Sequence, residues 1–422
     1  MKIFSTLERS QLRNLLFLFF SGLAFWTSLT SMLPTLPLYI EDLGAPPEQV
    51  GFVMGCFAIG LLLSRVWLGN LADRRSRKIV VVIGTGVAAI APLGYVFFQS
   101  IPWLMVTRAF HGISIAAFTT AYSALVVDIS PVKQRGELLG YMSLAIPLGM
   151  AFGPALGGFL QASVDYKSLF FIPAVLGAIA FLLAIQVREE QRFHSLGSHP
   201  DRESQLSQLW RLLASPRIRV PTIILLLIGT GFGILVSYLP GFMRDAAVDL
   251  NAGWYYSAAA IASFVARVMT GRASDRYGRG LFVSLSLVSF GLSMFLLAIA
   301  YSSTAFVFSA IFEGIGVGTL MPMAIAVLSD RSLPNERAIV YSLSIGGFDL
   351  GTALGGPFLG SLVALLTYRG LFLVATSLSA IALIIFLTQS SKDARHSFRF
   401  ATGRGKDLYA LEALEVLEPR SS

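Results

Sequence analysis

Charge is what this chain has least of. Only 13% of its 422 residues are Asp, Glu, Lys or Arg, against 55% hydrophobic, where a soluble domain carries roughly 25% charged residues. Such a chain cannot cover its surface with polar groups, so part of its solvent is expected to be lipid. Cysteine is scarcer still: a lone Cys56 excludes an intramolecular disulfide and any CxxC metal or redox motif. Four histidines and one cysteine supply no metal-ligand cluster, so no metal or other cofactor is expected. No GxxxxGK[ST] phosphate loop occurs, which argues against direct drive by ATP. A cleavable leader is not expected either, because the first apolar stretch is long and runs on into more of them.

What is present is a series of apolar windows, each long enough to cross about 30 Å of hydrocarbon with roughly 20 residues. They lie near 13–40, 48–71, 79–98, 102–127, 137–161 and 168–187, then near 219–242, 253–273, 281–300, 304–328, 338–365 and 369–389. The expected fold is an all-α membrane protein of 12 transmembrane helices, six plus six. A polar stretch with Gly197, Ser198, Pro200 and Ser204 separates the sets and reads as a cytoplasmic linker. The expected divisions are a first half over 1–187, the linker over 188–217, a second half over 218–390 and a cytoplasmic tail over 391–422. Leu408, Leu411, Leu414 and Leu417 suggest a weak amphipathic helix in that tail, resting on the bilayer or on the protein body.

A net charge of +8 is common in nucleic-acid binders, but its distribution here is a topology signal. With the N-terminus inside, Lys and Arg crowd the inner loops, and the opposite side holds only Lys167, Arg244 and Arg369. Both termini are expected in the cytoplasm, and no nucleic-acid partner is needed.

The two sets of spans are also copies. Asp73-Arg74-Arg75-Ser76-Arg77 returns 202 positions later as Asp275-Arg276-Tyr277-Gly278-Arg279, each behind a glycine, Gly69 and Gly271. The same offset matches Arg65 with Arg267, Gly112 with Gly314, Asp128 with Asp330, Arg135 with Arg337, Gly149 with Gly351 and Gly153 with Gly355. A duplicated half-length unit accounts for that register.

The stretch from Gly69 to Lys78 resembles the loop signature between the second and third helices of the major facilitator superfamily, and Gly271 to Gly280 is its second copy. The resemblance covers essentially the whole chain. It implies two six-helix halves that open alternately to either side of the membrane. The copies depart from the pattern in Ser76, where the family has glycine, and in Gly280, where it has a basic residue. Physically, a glycine lets helices approach, and an aspartate beside arginines or a helix N-terminus makes a breakable latch. The expected latch residues are Gly69, Asp73, Arg74, Arg77, Lys78, Gly271, Asp275, Arg276 and Arg279. Arg65 and Arg267 are expected to support them. The alternative is that the arginines only hold the loop to anionic lipid.

Gly149-Met150-Ala151-Phe152-Gly153-Pro154-Ala155-Leu156-Gly157-Gly158 resembles the GxxxGPxxGG pattern of the proton-driven exporter branch. Small residues at four-residue spacing make a flat face for packing, and Pro154 removes a backbone hydrogen bond. Gly351, Gly355, Gly356 and Pro357 are a partial echo. The segment from Pro34 to Gly44 also looks like that branch, although the first span lacks the acid some drug exporters carry there.

Ionisable residues inside a bilayer are costly and therefore informative. Glu313 falls about ten residues into its window, roughly 15 Å deep. Asp349 reaches a similar depth from the other side. His111 is the repeat equivalent of Glu313, and Arg108 lies one turn earlier on the same face. Arg108-Ala109-Phe110-His111-Gly112 resembles a further family signature, with His111 in place of a common glutamine. Arg108, His111, Glu313 and Asp349 are the expected proton and substrate residues. A permanent Glu313–Arg108 pair is the structural alternative.

The expected activity is secondary active transport, not enzymatic catalysis: proton-coupled efflux of a small, partly hydrophobic solute. The alternatives are proton-coupled uptake of a sugar or organic anion, with Arg108 holding the anion, and a non-transporting membrane sensor on the same fold. The expected partners are the solute, protons and the lipid bilayer. A monomer in a bacterial cytoplasmic membrane is the expected setting.

Overall fold

The computed structural model describes residues 7–189, 207, 210–333 and 336–411. Among them there is no strand. A lipid-facing backbone has no water to bond, so each segment satisfies its own amides as a helix. The helices are α1 (Arg9–Ser31), α2 (Leu36–Asp42), α3 (Pro47–Arg74), α4 (Arg77–Phe97), α5 (Ile101–Ile129), α6 (Arg135–Ser143), α7 (Ala145–Gln161) and α8 (Tyr166–Gln186). There follow α9 (Pro216–Asp245), α10 (Ala252–Tyr277), α11 (Arg279–Ala298), α12 (Ser303–Asp330), α13 (Arg337–Gly360), α14 (Val363–Gln389) and α15 (Ala394–Ala401).

Among the described residues, ten segments are long and apolar enough to cross a membrane, with α1–α2 and α6–α7 each counting as one. The α10 and α13 helices are of similar length but not among the ten. The first window breaks at residues 32–35, next to Pro34, into α1 and α2.

The chain divides into two compact units. The first holds residues 1–196 with 236–260 and 356–361, and the second holds 197–235, 261–355 and 362–422. In the first unit α1 packs on α7 and α8, α3 on α5, and α4 on α5 and α8. Its core stacks Phe25 on Phe118 at 4.1 Å and Phe118 on Tyr122 at 4.7 Å. Hydroxyls stitch the helices: Ser21 donates to Ala180 O at 2.8 Å and Ser28 to Pro173 O at 2.7 Å. Lipid offers no hydrophobic drive between helices, so close packing and such bonds hold the bundle.

In the second unit α11 packs on α12 and α14, and α15 lies on α14 and α11. The tail differs from the expected amphipathic helix. Residues 402–411 are not helical, and the helix present is α15, which buries Ser397, Phe400 and Ala401 against the unit. Leu414 and Leu417 lie outside the described residues, as does most of the linker.

Candidate functional site

The two pentad loops are built alike but capped differently. Ser76 is extended and caps α4, its Oγ accepting from Ile79 N at 3.0 Å. Gly278 caps α11 with φ at +90°, a conformation that favours glycine, and no side chain closes that cap. A hydroxyl cap thus replaces a left-handed residue in the first copy. Glu189 completes it: its carboxylate accepts from Arg77 N at 2.9 Å, from Lys78 N at 3.4 Å and from the Ser76 hydroxyl. An anion at a helix N-terminus is well placed for the dipole.

Arg77 Nη1 donates to Asp128 Oδ1 at 2.7 Å and to Ala124 O at 3.0 Å. Arg279 Nη1 makes the same grip, on Ala326 O at 2.7 Å and on Asp330. The acid of each grip therefore comes from the end of α5 or α12. Asp73 is exposed, and among the described residues no ion-pair or hydrogen-bond partner meets it. Asp275, also exposed, lies 3.8 Å from Arg279 Nη2. Arg74 and Arg276 are exposed, with Arg276 over the Tyr277 ring, and Lys78 is half-buried. A Cβ at Gly69 would touch only Thr120, at 4.0 Å, and one at Gly271 nothing, so neither latch glycine marks a close helix approach. Arg267 donates Nε to Gly318 O at 3.2 Å, and Arg65 is half-buried.

Gly280 has its own reason. A Cβ there would collide with the Phe400 carbonyl, so the glycine makes room for α15 where Lys78 stands in the first copy. The tail then continues to Asp407, whose carboxylate holds Arg331 at 2.7 and 3.1 Å. Arg331 is fully buried and also donates to Ser390 O at 2.8 Å. Leu411 N donates to Asp330 O at 2.8 Å, so the tail reaches the acid gripped by Arg279.

The glycines of α7 face α1. Cβ atoms on Gly149, Gly153 and Gly157 would meet Trp26 and Thr27, Thr30 and Thr27, and the Ser31 carbonyl in turn. Thr30 Oγ1 donates to Gly149 O at 2.9 Å across that contact. Pro154 is buried inside the helix. Gly158 faces elsewhere, toward Asn251 and Gly253. In the second unit Gly351 and Gly355 likewise meet Leu226, Thr230 and Ile234 of α9.

Arg108 and His111 come together on α5. The Arg108 guanidinium stacks over Phe57 at 4.5 Å, is only 7% exposed, and its Nε has no partner among the described residues. His111 is fully buried, with Nδ1 3.4 Å from the Tyr95 hydroxyl and Nε2 unbonded among the described residues. In the second unit Glu313 is buried on α12, and among the described residues neither a cation nor a hydrogen-bond donor meets its carboxylate. Asp349 is half-buried on α13. Arg108 in the first unit and Glu313 in the second are each buried without an ion-pair partner among the described residues. Among those residues no cluster of His, Cys, Asp and Glu could hold a metal ion.

Three sets of residues escaped the sequence reading. Asp128 and Asp330 were matched by the 202 offset, as were Arg77 and Arg279, so their pairing was available from the repeat. Arg331 with Asp407 carried no such signal. Arg244, which bridges Glu41 and Asp42, carried only its rarity as a cation on the side expected to face out.

The profile of the Major Facilitator Superfamily matches residues 18–272 and 245–416. Quinolone resistance protein NorA of Staphylococcus aureus (strain MRSA252) is 23% identical over 365 residues, covering 83% of this chain and 89% of that protein. Multidrug resistance protein 1 of Bacillus subtilis (strain 168) is 26% identical over 365 residues, covering 84% and 90%. Among solved structures, a bacterial homolog of the human lysosomal transporter Spinster, inward-facing and unoccupied, superposes with a TM-score of 0.72 at 15% identity, covering 94% of this chain and 98% of that one. The nucleoside transporter NupG gives 0.70 at 17% identity, covering 89% and 98%. These two likenesses establish the fold alone.

Proposed function

Because the chain belongs to the Major Facilitator Superfamily, and is therefore a multi-pass membrane transporter, we propose that it is a proton-coupled exporter of a small, partly hydrophobic solute. The observation that carries the coupling is Glu313, a buried carboxylate with no cation beside it among the described residues. A carboxylate without a fixed counter-charge is able to take up and release protons as its surroundings change. Arg108 and His111 are the polar pair of α5, with His111 at the repeat position of Glu313, and Asp349 is the second acid. Export is supported by relatives named for quinolone and multidrug resistance.

In this reading the chain crosses a bacterial cytoplasmic membrane twelve times, as a monomer, with α10 and α13 completing the set and both termini inside. Its halves are 1–187 and 218–390, joined by the linker 188–217 and followed by the tail 391–422. Asp73, Arg74, Arg77, Lys78, Asp275, Arg276 and Arg279 with Gly69 and Gly271 are its inner latches. Gly149, Gly153, Pro154, Gly157 and Gly158 are its packing motif.

A second reading is favoured by Arg108, a buried guanidinium without a carboxylate partner among the described residues, which suits an anionic solute. One screen separates the two. Inverted membrane vesicles carrying a pH gradient are challenged with cationic, neutral and carboxylate-bearing aromatic solutes, and gradient loss is read by dye quenching. Export predicts solute-induced loss of the gradient in these vesicles. Solute uptake by intact cells, with no response in vesicles, would favour the second reading.

A further inference from the structure

The first unit includes three pieces of second-repeat helix: the ends of α9 and α13 and the start of α10. We propose that Arg244 with Glu41 and Asp42 is the outer gate of the transport path, an inference that rests on the transport reading and topology above.

Arg244, at the end of α9, spreads its guanidinium over both acids at the end of α2, one nitrogen to Glu41 and one to Asp42. Asp42 also accepts from the Tyr166 hydroxyl at the start of α8. The contact therefore ties α2, α8 and α9 through one carboxylate. It lies between two cavities of about 260 and 270 Å³. Asp42 lines the first, with Tyr39, Tyr95, Tyr166 and Phe170, and Arg244 lines the second, with Leu38, Gln161 and Asn251. Parting the ion pair joins the two into one vestibule.

The positions that meet here are repeat equivalents. Asp42 and Arg244 stand 202 apart, so the duplicated site carries opposite charge in its two copies. The neighbouring seal repeats the pattern. Gly51 lies against the Gly356 carbonyl and Gly253 against the Pro154 carbonyl, and both members of one contact map onto the other by the same offset. Asn251 Nδ2 donates to Gly158 O at 2.6 Å and Ser257 Oγ to Ala151 O at 2.9 Å. The seal thus includes glycine contacts and neutral hydrogen bonds, and the charged clasp at Arg244 lies close to it.

Strength separates a gate from a rivet. The Arg244 and Asp42 side chains are 46% and 43% exposed and that of Glu41 11%, and a pair whose cation stands in water is weak because water competes for its charge. Arg331 and Asp407, at 0% and 10%, cannot separate without stranding a buried charge. The clasp at Arg244 is made to open, and the one at Arg331 is not.

The test uses the full chain in intact cells, with Cys56→Ser removing the native thiol and Ser257→Cys placing a reporter inside the seal. A membrane-impermeant maleimide is applied from outside. Arg244→Gln is expected to raise the labelling rate roughly twofold to fivefold, the Glu41→Gln/Asp42→Asn double variant by as much, and Arg244→Lys by less. A Ser21→Cys reporter, buried where α1 meets α8, stays unlabelled in every case. Unchanged labelling at residue 257 in both gate variants overturns the proposal. So does labelling that rises equally at residue 21, which would make the clasp a structural rivet. The readout needs no transported solute. An intact labelling response without solute movement would therefore count against the transport reading and leave the gate standing.

Discussion

Arg77 and Arg279, 202 residues apart, hold their aspartates in the same way: one nitrogen shared between a carboxylate and the carbonyl one helical turn before it. The grip ties the start of α4 to the end of α5, and the start of α11 to the end of α12. Arg77 and Asp128 should therefore act as a unit. In a double-mutant cycle on thermal unfolding in detergent, Arg77→Ala and Asp128→Ala are expected to couple by about 1–3 kcal/mol. Additive losses would mean that the contact contributes nothing.

Among the described residues Asp73 makes no such grip, and the latch role proposed for it is placed at another stage of the cycle. Asp73→Asn is expected to leave the melting temperature within about 1 °C of the parent and to lower the transport rate roughly tenfold or more. Asp128→Asn is expected to lower both. A matching loss of stability in Asp73→Asn would show a ground-state partner instead.

The α7 glycines give a graded prediction. Even Gly157→Ala places a methyl against the Ser31 carbonyl, and backbone cannot yield as a side chain can. The expected cost is about 1–3 kcal/mol, read as a lower melting temperature and less protein in the membrane. Gly140→Ala, with nothing within 4 Å, should be neutral.

The tail is held by charge at one end and by a helix cap at the other. Asp407→Ala leaves the Arg331 guanidinium buried alone, which is expected to cost about 3–5 kcal/mol. Replacing both residues by apolar ones should recover most of it. At the cap, the His396 N–H holds the Asp393 carboxyl below its usual range. A carboxyl depressed in the folded state stabilises above its unfolded value of about 3.9 and loses that contribution as pH falls through the folded value. Amide exchange in α15 should therefore be insensitive to this group between pH 5 and 8, and Asp393→Ala should speed it throughout.

The spans and the duplication were legible because hydropathy and a fixed offset both lie along the sequence. The offset also held the acids that Arg77 and Arg279 grip, since Asp128 and Asp330 repeat together with them. Its limits are physical. Arg331 has Ile129 as its repeat equivalent, so the offset carried no hint of a buried cation there. Its partner, Asp407, lies in a tail whose docking depends on the space left by Gly280. Asp42 and Arg244 match in position but not in charge, and identity-based comparison passes over such a pair. Ser76 against Gly278 looked like a lapse in the pattern, and is two solutions to capping one helix start.

The account stands or falls on proton capture by Glu313. In proteoliposomes with an imposed pH gradient, the parent protein is expected to move solute against its gradient while protons flow the other way. Glu313→Gln should retain solute binding and downhill exchange but lose gradient-driven accumulation. Undiminished proton-driven accumulation in Glu313→Gln would contradict the account.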